Sequence, residues 1–267
     1  MKDIVNDAVG RVPVTAVLLI AGAAVAASEA DRSAAPVWQV AIAHDFLLPD
    51  DGPPVHRYPP QALRFDAAGL LRGFADDRGT VTWDQPVGHA GNDGLIAWGR
   101  WGTGRTGGDG RHANVDITGG EGARNAIYYV AGAPAQDTPK GAARYSVLGG
   151  QVTPTAGEGG MAATTFLENG ALEADFGAGR AKITLAITVP SGRYELTAEN
   201  LRIVDGRFET APDSRLAVTG ALCFAGCVAY LEGFVAGPAA ERAGLAYHID
   251  IEALTEDVNG VVAWRRD

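Results

Sequence analysis

Cysteine, methionine and clustered positive charge are all scarce in this chain. Cysteine occurs only twice in 267 residues, at Cys223 and Cys227. A multi-thiolate metal centre would need further Cys or His ligands at close spacing. The five histidines, His44, His56, His89, His112 and His248, stand singly, so no metal site is expected. Lys and Arg total 22 against 32 Asp and Glu, a formal net charge of -10. No basic cluster exists that could release counterions from phosphates, which excludes nucleic acid as a partner. Catalytic signatures are missing too: there is no Gly-x-Ser-x-Gly elbow, no His-Glu-x-x-His, no phosphate loop and no dinucleotide fingerprint between a strand and a helix. The acidic pairs Asp50-Asp51 and Asp76-Asp77, and His44-Asp45, lie in polar connecting segments and read as solvated turn residues. The chain is not expected to be an enzyme.

What is present points to β-structure. Hydrophobic residues make up 46%, ample for a core, and the 36 glycines follow no three-residue period, which indicates many tight turns between short strands. Val12 to Ala27 is nearly all apolar, follows Lys2 and Arg11, and ends in Ala24-Val25-Ala26, an acceptable cleavage site for a secretory signal near Ala26. An uncleaved anchor or a buried helix is the competing reading, and an uncleaved segment is the one membrane attachment expected. No cysteine follows the apolar segment, so a lipidated exported form is not expected. Cys223 and Cys227 read as a local disulfide suited to an oxidising compartment, with a reduced buried pair as the alternative.

Three regions are expected: a signal-like segment over 1–26, an irregular β subdomain over 27–136, and an antiparallel barrel over 137–267. In the middle region Trp38–Ile42, Leu70–Phe74, Thr80–Trp83 and Leu95–Trp101 read as strands, and the glycine-rich stretch Gly102 to Gly122 reads as a mobile or binding loop. In the last region Ile183, Leu185, Ile187 and Val189 alternate with polar residues, the period of a half-buried strand. Tyr194, Leu196 and Ala198 continue that alternation, whereas Leu201 and Ile203 fall on the opposite parity, which predicts a bulge near Glu199 or Asn200. Asn169-Gly170, Ser191-Gly192, Asp205-Gly206 and Asn259-Gly260 supply hairpin turns. Strands are placed at Tyr145–Gly149, Leu172–Phe176, Ile183–Val189, Tyr194–Ile203, Arg207–Thr210, Val228–Ala236, Leu245–Ile251 and Gly260–Arg265. Eight antiparallel strands can close into an up-and-down barrel filled by side chains.

The stretch Gly233-Phe234-Val235-Ala236-Gly237-Pro238-Ala239-Ala240-Glu241-Arg242-Ala243-Gly244-Leu245-Ala246-Tyr247-His248-Ile249, followed by Val258 to Trp264, resembles the closing hairpins of the transferrin-binding-protein-B-like β-barrel. Ile96 to Trp101, Tyr128 to Pro134 and Gly141 to Gly150 are similar to segments of exported proteobacterial proteins described as FecR-like. The resemblance covers roughly Gly94 to Arg265. It implies a barrel and an iron-acquisition or host-interaction setting outside the bacterial cytoplasm. Two departures limit it: the lipidated cysteine of surface-anchored members is missing, and only Met1 to Arg11 precede the apolar segment, too few for a sigma-factor-binding domain.

The candidate contact residues are aromatic and imidazole groups. Tyr128 and Tyr129 with His112 are of the types that ligate haem iron, although strand packing with one tyrosine inside and one outside is the favoured reading and no cofactor is expected. Trp98 and Trp101 flank Arg100 and can stack on a planar ligand, though their opposite parity favours packing. His248 is expected to be solvated. The expected function is thus an exported, soluble binding protein that recognises a protein or small ligand through loops outside a filled barrel. The alternative is a self-associating structural component of the envelope or extracellular space.

Overall fold

Alternation sets the strands, and the computed structural model describes residues 39–44, 55–58, 60–75, 79–110, 112–117, 127–135, 139–152, 166–189, 192–220, 222–224, 226–251 and 257–267. The signal-like segment, Trp38, the Pro49–Pro54 stretch and the acidic pairs Asp50-Asp51 and Asp76-Asp77 lie outside those residues. The strands in chain order are β1 (Gln39–His44), β2 (Val55–Tyr58), β3 (Leu63–Phe65), β4 (Leu71–Ala75), β5 (Thr80–Thr82), β6 (Val87–Asn92), β7 (Ile96–Trp101), β8 (Gly104–Arg105), β9 (Gly107–Gly108), β10 (Asp116–Ile117) and β11 (Ile127–Gly132). They continue as β12 (Ala142–Val152), β13 (Phe166–Asp175), β14 (Arg180–Val189), β15 (Gly192–Val204), β16 (Arg207–Glu209), β17 (Arg215–Gly220), β18 (Cys227–Ala236), β19 (Arg242–Ile251) and β20 (Asp257–Arg266).

The fold is all-β. Its C-terminal part is a closed, eight-stranded antiparallel barrel in the order β14-β13-β12-β20-β19-β18-β16-β15, completed by pairing of β15 with β14. β14 shows why the wall closes around a core: Ala181, Ile183, Leu185, Ile187 and Val189 are all buried while the residues between them face outward. Tyr145, Tyr194, Tyr247, Trp264, Phe208 and the aliphatic residues of neighbouring strands join them in one cluster. The interior is therefore packed with side chains, as a barrel of this strand number allows. Two of its polar handles are hydrogen-bonded: Tyr145 Oη donates to the Ala240 carbonyl at 2.8 Å and Trp264 Nε1 donates to the Gly170 carbonyl at 3.3 Å.

Smaller open sheets precede the barrel. β2-β1-β11-β7-β6 form a five-stranded sheet, β3-β4-β5-β9 a four-stranded one, and β8 pairs with β10. The inner strands β1 and β11 of the five-stranded sheet are buried on both faces. Ala41, Ala43, Tyr128 and Val130 pack against Phe234, Ala236, Ala246, Val261 and Ala263 on the outside of the barrel wall. On the other face Val40, Ile42, Tyr129 and Ala131 meet Leu71, Phe74, Val81, Trp83 and Trp101. Such two-sided burial explains why β1 and β11 read as continuous apolar runs instead of alternating ones.

Several local expectations hold at the level of single residues. Two residues of β15, Glu199 and Asn200, stand where β14 supplies only Lys182, and Asn200 adopts a φ of 57°; this is the bulge that the parity change requires. Asp205 and Gly206, with φ of 49° and 74°, turn β15 into β16, as the twist of a two-residue hairpin demands.

Others need correction. Asn169-Gly170 and Asn259-Gly260 are not turns, for they lie within β13 and β20. Their glycines serve close packing: a Cβ on Gly260 would meet Tyr247 Oη at 2.4 Å, and one on Gly170 would meet Leu185 Cδ2 and Val147 Cγ2 at 3.1 Å. The stretch after Trp101 is not a plain loop where it is described. Gly104–Arg105 pairs with Asp116–Ile117, and Gly107–Gly108 pairs with Val81–Thr82, where a Cβ on Gly108 would lie 2.0 Å from the Thr80 carbonyl. β17 is an additional strand at Arg215–Gly220, in line with β16 along β15.

Candidate functional site

The five aromatic and imidazole candidates are placed by the sheets that carry them. Tyr128 and Tyr129 are both fully buried and point to opposite faces of β11, one toward the barrel and one toward the four-stranded sheet. One-in, one-out packing is thereby corrected: both faces of this strand are covered, so neither tyrosine is on the surface. Two faces of one strand do not converge on one iron. Burial raises the Tyr129 hydroxyl well above its ordinary pKa, so it is a neutral phenol and not a tyrosinate.

The remaining three are occupied by packing as well. Trp98 lies against Gly91 and Gly149, where an added Cβ would come within 2.2 and 2.3 Å of its indole, and so wedges between β6 and the barrel strand β12. Trp101 is fully buried, stacks on Trp83 at 5.3 Å and donates its Nε1 hydrogen to the Leu71 carbonyl at 3.0 Å. Arg100 stands over the Tyr128 ring at 6.0 Å, a cation on an aromatic face. His112 is buried in the Thr106–Val115 turn, where its carbonyl accepts from Thr106 Oγ1 at 2.7 Å. Among the described residues no group of three or more His, Cys, Asp or Glu is arranged to hold a metal.

His248 corrects a further expectation. It does project from the outer face of β19, opposite Leu245, Tyr247 and Ile249, but only 5% of it is exposed. On that face it is flanked by Tyr230 of β18, with ring centroids 5.9 Å apart, and by Asn259 of β20. His248 Nδ1 lies 2.7 Å from Asn259 Oδ1, and its Nε2 lies 3.7 Å from Asp257 Oδ2. With an amide oxygen as acceptor, Nδ1 carries the proton. Asp257 stands directly opposite Asp250 in the β19–β20 register. Burial pushes the Asp257 carboxyl up, His248 opposes that shift, and the charge of Asp250 adds to it.

Two outer surfaces remain. Over β12 to β15 lies a groove of about 630 Å³ lined by Arg144, Glu173, Arg180, Lys182, Glu199 and smaller residues. Its charges neutralise one another in ion pairs, Arg144–Glu173 at 3.4 Å, Lys182–Glu199 at 2.7 Å and Arg180–Asp213 at 3.1 Å. This wall is built to face water, since exposed charges in such a band would be costly in lipid.

The other surface is a seam. β16 pairs with β18 only at Arg207–Phe234 and Phe208–Gly233. The chain then leaves the wall in a turn containing Pro212, where the Ala211 N–H donates to Ser214 Oγ at 2.8 Å and that hydroxyl donates to the Asn200 carbonyl at 2.9 Å. β17 rejoins β15 but makes no ladder with β18 among the described residues. Leu216 and Val218 on β17, and Ala229 and Leu231 on β18, are consequently only half-buried, unlike the inward residues of β14. A disulfide joins Cys223 to Cys227 at the end of this seam, with Cα atoms 5.2 Å apart. Among the described residues the exposed large hydrophobics are Val147, Phe224, Val228 and Tyr230, and the last three flank this opening, Phe224 being 81% exposed. The sequence signal was there in Val228-Ala229-Tyr230-Leu231, apolar on both parities, which requires a cover on each face.

No protein-family model matches the chain, and no curated protein matches it in sequence. Among solved structures it resembles transferrin-binding protein B. A doubly substituted form of that vaccine antigen from Haemophilus parasuis aligns with a TM-score of 0.42 and 11% identity over 86% of this chain. The isotype 1 protein from serogroup B Neisseria meningitidis aligns with a TM-score of 0.39 and 12% identity over 89% of this chain. The chain spans 45% of the length of each.

Proposed function

We propose that this chain is an exported binding protein that recognises a protein partner on the outside of its barrel and performs no chemistry. The observation that carries this reading is the filled interior: Tyr145, Tyr194, Tyr247, Trp264 and the aliphatic residues around them occupy the space where a barrel of this size would hold a small ligand. Recognition then falls to exposed surface. Among the described residues, Phe224, Val228 and Tyr230 form an exposed apolar patch on that surface, where solvent contact is unfavourable. The Cys223–Cys227 disulfide and the signal-like segment ending near Ala26 support delivery to the periplasm or beyond.

The test is site-specific photo-cross-linking in an exporting bacterial host. A benzophenone side chain at Phe224 is expected to capture another polypeptide outside the cytoplasm, from a chain cleaved near Ala26, while the same group at Thr184 on the charged wall is not. An intact chain retained in the cytoplasm with reduced thiols, or equal capture from both positions, would defeat the reading. Capture of a second copy alone would assign the patch to self-association.

A further inference from the structure

We infer that the crease between the five-stranded sheet and barrel strands β16 and β18 is a binding site for a carboxylate group. Four polar side chains converge there without bonding to one another. Gln39 and Arg57 come from β1 and β2, on the face that also carries Ala41 and Ala43, while Arg207 and Glu232 come from β16 and β18. With Phe234 and smaller neighbours they surround a void of about 10 Å³. Glu232 shares the outer face of β18 with Val228 and Tyr230, so the crease continues the line of the exposed apolar residues.

The constellation is incomplete as it stands. Gln39 is 9% exposed, and its Oε1 has no hydrogen-bond partner, a state that is costly for a buried acceptor. Among the described residues, Arg57, Arg207 and Glu232 make no ion pair or side-chain hydrogen bond. Burial raises the Glu232 carboxyl above its ordinary pKa, the Arg57 and Arg207 guanidinium groups oppose that shift, and the charge of Glu209 adds to it. The other titratable group that lines the void is Tyr58, whose ring packs on Phe74 at 4.6 Å.

These donors and acceptors select the charge of the ligand. A cation would find acceptors in Glu232 and Gln39 but would face two arginines, which do not deprotonate. A carboxylate takes both guanidinium groups as donors. Glu232, biased toward its protonated form, then supplies a hydroxyl donor in a site where Gln39 Oε1 lacks one. The void has room for one oxygen atom, about the size of a water, and the second oxygen stays at the mouth, where Arg57 is exposed. Glu209 does not reverse the balance, because Arg202 stands opposite it in the β15–β16 register. The net charge of -10 opposes an anion only at long range, since salt screens exposed charges beyond roughly 8–10 Å.

Calorimetric titration of the purified full chain tests this with acetate and with two blocked tripeptides, valine–aspartate–valine and valine–asparagine–valine. The aspartate peptide should bind one to one and saturably, about tenfold more tightly than the asparagine peptide. Arg57→Gln combined with Arg207→Gln should weaken it by a similar factor and leave the Tm unchanged. Because Glu232 takes up a proton on binding, affinity should fall about tenfold per pH unit once the pH exceeds the Glu232 pKa of the free chain. Glu232→Gln should bind without that slope. Acetate as tight as the aspartate peptide would identify a free small carboxylate as the occupant, and a clearly tighter peptide would identify a carboxylate borne by a polypeptide. The inference is overturned if neither acetate nor the aspartate peptide binds, if both peptides bind equally, if the double substitution leaves binding intact, or if affinity in the unsubstituted chain does not change with pH. Any of these alongside successful cross-linking from Phe224 would remove the carboxylate site and leave the protein-binding reading standing.

Discussion

Tyr247 on β19 lies directly opposite Gly260 on β20, and its hydroxyl oxygen occupies the place where a Cβ on that glycine would come within 2.4 Å. The ring is fully buried, and burial drives its hydroxyl pKa far up. This pair fixes how one side of the barrel interior is filled, because an aromatic ring covers the strand only where the opposing residue has no side chain.

Gly260→Ala should therefore destabilise the fold by about 1–3 kcal/mol, the usual range for overpacking a closed core, as read from urea denaturation. Tyr247→Leu in the same background should recover part of the loss, since the clash is with the phenol. Absence of coupling between the two substitutions would contradict the packing described.

Asp93 and Arg242 tie the turn before β7 to the start of barrel strand β19 in a part-buried ion pair. Burial alone would raise the Asp93 carboxyl, but the Arg242 guanidinium and the N–H groups of Leu95 and Ile96, each at 3.1 Å, outweigh it and hold the pKa below the ordinary 3.8. A carboxylate with a depressed folded-state pKa contributes stability that is fully present above the unfolded value and is lost as pH falls through the folded one. Asp93→Asn should cost about 1 kcal/mol at neutral pH. The difference from the unsubstituted protein should shrink as the pH is taken below about 4, measured by denaturation at a series of pH values.

The disulfide closes a very short loop, so its contribution to stability is modest. Serine at both Cys223 and Cys227 should lower stability by about 2 kcal/mol on the loop-entropy estimate. Reduction of the unsubstituted protein should match it, and the loss should appear in calorimetry as a lower Tm with β19 still protected from exchange.

Which parts of this were legible from sequence depends on what buries each residue. Ile183, Leu185, Ile187 and Val189 announce β14 because a barrel strand has one wet face and one dry face, and both neighbours are strands of the same wall. Tyr128 reads wrongly for the opposite reason: the barrel residues that bury it, Phe234, Ala246, Val261 and Ala263, lie more than 100 residues away, and no local pattern encodes that cover. Asn259-Gly260 reads as a turn in isolation, yet its glycine answers a ring on another strand. β17 was missed since Leu216 and Val218 are its only strong alternation, and they lie beside a seam, not beneath a wall. The seam itself is invisible to periodicity, for it arises where the chain turns at Pro212 and fails to rejoin β18.

A barrel filled by its own side chains leaves binding to its exterior. Calorimetric titration of the purified chain with haemin and with a long-chain fatty acid tests it most directly, each repeated on Leu185→Trp, which adds bulk to the interior. With the interior filled, neither compound is expected to show saturable one-to-one uptake that the substitution alters. One-to-one binding of either compound to the unsubstituted chain, abolished by Leu185→Trp, would show an open interior and contradict it.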